Sequence, residues 1–393
     1  MNSQVALVKC TDYYPEQIQE AVRQCFAPFG GIGSIVKKGN KVLIKPNLLR
    51  PRPPERGVTT HPQVIRAIIR LVKSAGGIPM VGDSPGGSVA NKEAINTFGN
   101  IEYLWVETGM RRVCDEEGAR LVSFETEGVE IFNIPDRPST PELYISKAVL
   151  SADIIINVPK LKTHMLTLYT GAIKNLYGCV PGMRKTRYHA QALRLDDFGA
   201  MLVDILGIVK PAFSIIDGIE AMDGNGPNAG RKINPGILIA GRDCVAIDTV
   251  GASILGFKPD EVVSIGIAHE RGLGENNPEN ITITGMALED VIVKNPLHPI
   301  APHRRFIRRV PRFITRILES IIWAYPCIDK TKCVICRDCM RSCPVGAITL
   351  DDDGKPSVKR NKCIMCMCCH ELCRYEAVDV QQNKFLRFLF KFI

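Results

Sequence analysis

The chain has 393 residues, 45% of them hydrophobic and 23% charged, which excludes a disordered chain, a collagen and a polytopic membrane protein and predicts two or three domains. Lys and Arg outnumber Asp and Glu by 50 to 41, a formal net charge of +9 that on its own suggests a polyanionic partner. The excess lies in two short segments, residues 304–323 and 384–393, so we expect no nucleic-acid partner.

Residues 1–290 alternate short apolar runs with helical patterns. Helices are predicted after Pro15 and Pro62, because proline suits the first turn of a helix. Continuous apolar strands between helices are typical of a parallel or mixed sheet covered on both faces. We therefore predict an α/β domain over residues 1–290, although the sequence contains no GxGxxG or Walker A nucleotide fingerprint. The predicted strands begin at Val5, Lys41, Ile78, Asp153, Phe213 and Gly236.

Residues 291–325 read as a proline-containing linker followed by a basic amphipathic helix. Residues 326–382 form a Cys-rich domain, and residues 383–393 are a basic aromatic tail. We expect the two basic segments to pack on the rest of the protein; the alternative is contact with an anionic membrane surface. The sequence has no run of about 18 apolar residues and no signal peptide, so we expect a cytoplasmic protein, with peripheral attachment to the inner face of the membrane left open.

The Cys-rich domain carries the most specific motif of the chain. Nine of the fifteen Cys lie within residues 333–373, and in a reducing compartment such clustering indicates metal rather than disulfides. Two runs share the spacing C-x2-C-x2-C-x3-C and start thirty residues apart. The first contains Cys333, Cys336, Cys339 and Cys343 followed by Pro344, and the second contains Cys363, Cys366, Cys369 and Cys373 followed by Arg374.

These runs resemble the ligand runs of bacterial-type two-cluster ferredoxins over about 60 residues. The resemblance implies a small ferredoxin-like α+β domain with two [4Fe–4S] clusters, in which the fourth Cys of each run ligates the other cluster. Zinc sites normally pair CxxC knuckles at other spacings, so two structural zinc ions are the less favoured alternative. Cys327 and Cys368 fall off the spacing and are interpreted as bystanders. The first cluster is assigned Cys333, Cys336, Cys339 and Cys373, and the second Cys343, Cys363, Cys366 and Cys369.

In the α/β domain, polar residues collect directly after a predicted strand that ends near residue 158. Ligands of open α/β sheets bind beyond the carboxyl ends of strands. Cations in this position suit an anionic substrate such as a carboxylate or a phosphate, and the alternative is a solvated basic loop. The residues concerned are Lys160, Lys162, His164, Lys174, Asn175 and His189.

Other strand ends carry further candidate binding residues. Asp217 ends one predicted strand, and the Gly-rich loop after it holds Asp223 and Asn225. Together with Asp248 these carboxylates are candidates for a hard cation, but their spacing matches no metal motif and a tight turn is an equal alternative. The remaining candidates follow two strands near residues 45 and 80 and are Lys45, Asn47, His61 and Asp83.

Seven segments together resemble the domain-of-unknown-function family 362: IKPNL, TTHP, VGDS, INVPKLKTH, TGAIKNLYG, IIDGIEAMDGNGP and VAIDTV. They span roughly residues 40–255, and members of that family are often joined to a ferredoxin-type domain, as here. The resemblance implies this architecture and an iron–sulfur content but no substrate. It also implies that one pocket holds Lys45, Asn47, His61, Asp83, Lys160, Lys162, His164, Lys174, Asn175, Asp217, Asp223, Asn225 and Asp248.

From these features we predict an iron–sulfur protein that moves electrons from a low-potential donor to a substrate or partner at the α/β domain, as a reductase or a reductase component. Candidates for proton supply are His164, His189 and Asp217. The alternatives are a non-enzymatic electron carrier or docking module and a cluster maturation factor, so the sequence leaves open whether the chain is an enzyme. The expected partner is a redox protein, with an anionic small molecule and a membrane surface as further candidates.

Overall fold

The computed structural model describes residues 3–86, 101–299 and 324–382. The predicted basic helix at residues 303–323 and the tail at residues 383–393 lie outside the described residues. We call residues 3–299 the large domain and residues 324–382 the C-terminal unit. None of the helices in these described ranges is long and apolar enough to cross a membrane.

The strands of the described ranges are β1 (Ser3–Lys9), β2 (Lys41–Pro46), β3 (Ile78–Asp83), β4 (Arg120–Ser123), β5 (Val129–Asn133), β6 (Glu142–Ser146), β7 (Ile154–Val158), β8 (Lys160–His164), β9 (Leu168–Thr170), β10 (Phe213–Asp223), β11 (Arg231–Ile233), β12 (Ile237–Gly241), β13 (Ile281–Gly285), β14 (Ala324–Ile328), β15 (Ile348–Leu350), β16 (Pro356–Val358) and β17 (Val378–Gln382). The helices are α1 (Pro15–Phe26), α2 (Pro62–Ser74), α3 (Ile101–Glu107), α4 (Met110–Glu117), α5 (Lys147–Leu150), α6 (Ala172–Asn175), α7 (Arg184–Gln191), α8 (Leu195–Val209), α9 (Cys244–Ile254), α10 (Val263–Glu270), α11 (Asp338–Arg341) and α12 (Cys368–Leu372).

A mixed sheet forms the centre of the large domain. Eight of its strands lie in the order β13-β1-β12-β10-β7-β2-β3-β4, while β8 and β11 pair with β10 and β9 pairs with β8. Along this order every neighbouring pair is parallel except the two that involve β12, which runs antiparallel to β1 and β10. The predicted α/β class with a largely parallel or mixed sheet is confirmed.

Apolar cores cover both faces of this sheet. Ile215 and Ile216 are neighbours on β10, so their side chains point to opposite faces. Ile215 belongs to the core formed with Val22 of α1 and Ile68 of α2, whereas Ile216 belongs to the core formed with Leu202 of α8. With helices on both faces, the edge at which the strands end is the part of the sheet that a ligand can reach.

The parallel strands β2, β3 and β7 end at the same edge of the sheet. Pro46 at the end of β2 pairs with Val158 at the end of β7, and Asp83 ends the neighbouring β3. The chain then turns at Pro159 into β8, which pairs with β10 beyond that edge. This topology gathers the loops after several strands around one region, which we call the carboxyl edge.

The C-terminal unit repeats one local structure twice. The strand pairs β14–β17 and β15–β16 are antiparallel, and each of the short helices α11 and α12 follows a Cys-containing loop. Non-glycine residues with positive φ recur thirty residues apart, Ile335 with Met365 and Arg337 with Met367. A positive φ is uncommon for such side chains, so the repeat indicates that both loops are constrained to the same backbone path.

Candidate functional site

A cleft lies where the carboxyl edge of the large domain meets helix α12 of the C-terminal unit. It contains about 700 Å³ of space free of protein atoms, part of it open to solvent. Cys368, Glu371 and Leu372 of α12 form one wall. The opposite wall contains seven of the residues predicted from the sequence, namely Asn47, Asp83, Lys162, His164, Lys174, Asn175 and His189.

Strand β8 positions two of these side chains. Residues two apart on a strand point to the same face, and Lys160, Lys162 and His164 follow this period. The Nζ of Lys162 donates to Oδ1 of Asn47 and to the Val58 carbonyl, both at 2.7 Å. Burial, followed by the charges of Lys160 and Lys174, lowers the pKa of Lys162 to about 7. Lys162 therefore lies at the cleft with a proton that it can exchange near neutral pH.

A chain of amide hydrogen bonds fixes the floor of the cleft. Asn47 donates from Nδ2 to Oδ1 of Asn175 at 3.0 Å, and Asn175 donates to Oδ1 of Asn157 at 2.8 Å. Asn157 in turn donates to the carbonyl of Ala172 at the start of α6. Because each amide is both donor and acceptor, the chain ties β2, β7 and α6 together at the point where Lys162 is held.

His164 faces the C-terminal unit in its neutral form. Its Nδ1 accepts the backbone N–H groups of Leu166 and Thr167 at 3.0 and 3.3 Å, so the ring proton belongs on Nε2. Burial lowers the pKa of His164 to about 4, helped by the charge of Lys174. The Nε2 lies 3.1 Å from Oε1 of the buried Glu371 carboxylate, so the two side chains contact each other directly. His164 is therefore a neutral hydrogen-bond donor at the cleft.

Lys174 presents its ammonium group beside aromatic rings. Its Nζ lies 5.3 Å from the ring centre of Tyr177 and 5.9 Å from that of Phe198, within the range of cation–π contacts. Burial lowers the pKa of Lys174, while Glu371 and Cys368 of α12 raise it. The charge of Lys174 is thus balanced across the cleft by the C-terminal unit.

Oγ1 of Thr170 is buried at the cleft and makes no hydrogen bond within the described part of the chain. Thr170 is 4% exposed. Leaving a buried polar atom unpaired costs roughly 1–3 kcal/mol, so such atoms normally have a partner. This hydroxyl and the ammonium group of Lys174 at the same cleft favour a small polar ligand.

Three predicted site residues form a separate cluster behind the cleft, together with Tyr13. Lys160 donates from Nζ to Oδ2 of Asp217 at 2.9 Å and to the Tyr13 hydroxyl at 2.8 Å. That carboxylate also accepts the backbone N–H of His61 at 2.9 Å, and the His61 ring stacks on Tyr13. Lys160, His61 and Asp217 therefore satisfy one another and do not line the cleft, although the sequence placed them in one pocket with Lys162.

Lys45 is likewise neutralised within the protein. Its Nζ lies 2.8 Å from Oδ1 of Asp83, whose other oxygen accepts the Leu48 N–H at 2.7 Å. Gly178 packs so closely against this pair that a Cβ there would lie 2.0 Å from the Asp83 oxygen. The ion pair shapes the cleft wall, and its charges are already compensated.

The other acidic candidates have structural contacts. Asp248 accepts the N–H groups of Ala172 and Ile173 at 2.5 and 2.9 Å and thereby caps helix α6, and burial raises its pKa to about 7. Asp223 pairs with Arg231 at 2.5 Å. Asn225 is half-buried in the loop after β10 and does not line the cleft. These positions form no common cation site with Asp217.

In the C-terminal unit, each assigned Cys quartet is gathered around one buried cysteine, and Cys339 of the first quartet also lies near Cys369 of the second. Burial, followed by the neighbouring Cys336, Cys373 and Cys333, raises the pKa of the Cys339 thiol to about 12. Burial, with Cys366 and Cys363 as the largest neighbours, raises the pKa of Cys369 well above its usual value. The neighbours of Cys339 are the other three members of the first quartet, and those of Cys369 include the other three members of the second, Cys343, Cys363 and Cys366.

A second cavity lies in the C-terminal unit and is lined by all four members of the second quartet. It contains about 330 Å³ of space free of protein atoms, part of it open to solvent. Within the described residues, no three His, Cys, Asp or Glu side chains are close enough to hold a single metal ion. A four-iron cluster places each thiolate on a different iron, so its ligands stand further apart than those of one ion. Four soft sulfur donors around an otherwise apolar cavity fit a cluster better than a lone ion.

The sequence reasoning missed most of the wall contributed by α12. Glu371 and Leu372 carry no motif, and Cys368 was interpreted as a bystander because it falls off the ligand spacing. Cys368 lines both the cleft and the cavity of the second quartet. Lys185 is a further cleft residue that the sequence analysis does not single out. Its ammonium group donates to Ser84 and to the Val180 carbonyl, and burial lowers its pKa to about 8. The only sequence signal for this wall is the position of Cys368 next to the predicted cluster ligand Cys369.

Comparisons with known proteins bear on the large domain. The sequence profile of a family described as Domain of unknown function (DUF362) matches residues 42–253. A relative named as a thylakoid-associated protein of Synechocystis sp. is 32% identical over 303 residues, covering 75% of this chain and 90% of its own. Among solved structures, the lactate racemase apoprotein from Thermoanaerobacterium thermosaccharolyticum aligns over 65% of this chain and 57% of that chain, with 15% identity and a TM-score of 0.36. The last likeness is too weak to carry an argument.

Replacing Lys162 by Met tests the burial of its charge. Lys162 has a pKa of about 7 in the folded protein and about 10.4 in an unfolded chain. Between these values the unfolded chain binds the additional proton, so the free energy of unfolding of the wild type rises with pH relative to the variant. Denaturant titrations from pH 7 to 10 are expected to show a relative rise of up to about 1.4 kcal/mol per pH unit.

The control is Lys147→Met, because Lys147 is exposed on α5. This variant is expected to keep the pH slope of the wild type. Parallel profiles for the wild type and K162M would show that Lys162 is not desolvated as described.

Proposed function

The chain belongs to the domain-of-unknown-function family 362, and we propose that it is an iron–sulfur protein that exchanges electrons with a small polar ligand held in the cleft. The observation that carries the proposal is that Cys368 lines both the cleft and the cavity of the second quartet. One turn of helix therefore separates four sulfur donors from the buried polar groups of the large domain. Such proximity suits short-range electron transfer.

The donor sets support two [4Fe–4S] clusters in the C-terminal unit. The first site is formed by Cys333, Cys336, Cys339 and Cys373, and the second by Cys343, Cys363, Cys366 and Cys369, as the ferredoxin-type spacing implies. Such clusters supply one electron each. Two electrons are enough for the reduction of a bond in a bound ligand.

The residues of the large domain supply the rest of the chemistry. Lys174 provides a positive charge, and Thr170 provides a hydrogen-bond donor for a carboxylate or a similar acceptor. Lys162 is the group best suited to deliver a proton, because its pKa of about 7 matches neutral pH. His164, with a pKa of about 4, stays neutral and orients the ligand instead.

The adjacent residues Cys368 and Cys369 provide a matched test of the cluster assignment. We expect anaerobically purified wild-type protein to contain about eight iron per chain. Cys369→Ser is expected to lower the content towards four, because one ligand of the second site is lost, whereas Cys368→Ser is expected to keep eight. Iron and acid-labile sulfide analysis measures this. Stoichiometric zinc, or an equal loss in both variants, would contradict the assignment.

Native mass spectrometry tests the cleft. We expect the anaerobic wild-type protein to retain a small molecule and Lys174→Met to lose it, since Lys174 is the cation with no hydrogen-bonded acceptor among the described residues that line the cleft. Lys147→Met, on the exposed surface of α5, serves as the control and should retain it. A wild-type chain without any bound molecule, or a K174M variant that retains it, would favour a plain electron carrier.

We further propose that the segment at residues 304–323 attaches the protein to an anionic membrane surface. Its six Arg and its Phe, Ile and Leu residues have the composition of an interfacial helix. The name of the thylakoid-associated relative also supports a position at a membrane surface. This is the alternative to packing of the segment on the protein itself.

Sedimentation with vesicles tests this attachment. The protein is expected to bind vesicles that contain anionic lipid and to be released by salt, because the attraction to the surface is screened. Replacing Arg304, Arg305, Arg308 and Arg309 by Gln should weaken binding strongly, with neutral vesicles as the control. Equal binding of the wild type and this variant would favour packing within the protein.

A further inference from the structure

Arginines collect at one end of the contact between the large domain and the C-terminal unit. Arg50 is 2% exposed and donates from Nη1 to the Glu371 carbonyl at 3.3 Å. Arg52 donates to Oδ1 of Asn228 at 3.3 Å, and Asn228 donates to the carbonyl of Cys373 at 3.0 Å. Both arginines thus lie beside Cys373, the residue by which the second run reaches the first site.

Arg374 adds a third cation at the same place. It follows Cys373, at the position where the first run has Pro344, and its Nη2 lies 3.4 Å from Asp338. Its charge lowers the pKa of the Cys336 thiol against the effects of burial and of Asp338. Arg374 therefore lies close to another sulfur of the first site.

The three cations are close enough to repel one another. Burial, followed by the charges of Arg52 and Arg374, lowers the pKa of Arg50 to about 9 against the opposing effect of Cys373. A protein tolerates such a cluster of one buried and two half-buried cations when negative charge compensates it. Asp338 and Glu376 compensate it in part, but each also pairs with a further arginine, Arg341 and Arg56 respectively.

At Cys369 of the second site, arginines are not the leading influence on the thiol. Burial and other cysteines are the largest influences on its pKa, and both raise it. Beside the adjacent Cys368, Glu371 and Lys174 carry opposite charges. The electrostatic surroundings of the two sites are therefore different, although their backbones repeat.

We propose that Arg50, Arg52 and Arg374 make the first Cys site the one of higher reduction potential, so that the first electron resides there and the site beside the cleft is reduced second. A reduced cluster carries one more negative charge, and buried cations stabilise that state. The proposal rests on the proposed function, because it requires both clusters. Each step moves one electron and breaks no bond.

This order gives the two sites different roles. The site beside the cleft is the stronger reductant and faces the ligand. The Arg-rich site holds a second electron, which it passes to the site beside the cleft after that site has reduced the ligand. A ligand that needs two electrons is then fully reduced only when both sites are reduced.

An EPR-monitored redox titration of the full chain, with dithionite and mediators, tests the order. We expect two one-electron waves in the wild type. Arg374→Gln is expected to lower the higher wave by a tenfold change in its equilibrium constant, about 59 mV, and to narrow the gap between the waves. Arg374→Lys keeps the charge and should leave both waves in place, and Arg50→Met provides a second charge-removing variant.

The outcomes separate the two proposals. A shift of the lower-potential wave in place of the higher one would overturn the proposed order of potentials. Unchanged waves in both R374Q and R50M would overturn it as well. In either case the iron content would stay at about eight per chain. A wild-type protein without that iron overturns the proposed function itself.

Discussion

The rest of the site depends on how the positive charges of the buried lysines at the carboxyl edge of the sheet are neutralised. Lys45, Lys160 and Lys162 are each at most 1% exposed, and a charge so deeply buried is tolerated only when it is paired or hydrogen-bonded. Asp83 and Asp217 compensate the first two, and two oxygen acceptors hold the third. Lys174 differs, because the opposing charge of Glu371 comes from the C-terminal unit. The site is therefore completed only when the two parts of the chain meet.

The contact between the large domain and the C-terminal unit determines which polar groups line the cleft. The large domain contributes donors and a lysine with a pKa near 7, and α12 contributes an acceptor and a thiol that also lines the cavity of the second quartet. Neither part alone has both sets of groups. Arg50 also donates to the Glu371 carbonyl of α12, so this one short helix makes both an electroneutral and a cationic contact.

Much of the large domain could be predicted from the sequence, because apolar runs and strand ends are local signals. The α/β class follows from them, and the rule that ligands bind beyond strand ends brought Asn47, Lys162 and His164 to one cleft. The pairing of Lys160 with Asp217 could not be predicted, since it joins residues 57 positions apart. Likewise, Asp248 looks like a ligand in the sequence but caps a helix. The role of α12 depends on the packing of two units, which no spacing motif encodes.

The central claim is that an iron–sulfur site borders the cleft. An anomalous-difference map at the iron absorption edge, from crystals grown without oxygen, tests it most directly. The account predicts two four-iron peaks, one of them enclosed by Cys343, Cys363, Cys366 and Cys369 and separated from the cleft only by Cys368. Single-atom peaks, or a second peak that side chains of the large domain shield from the cleft, would contradict it.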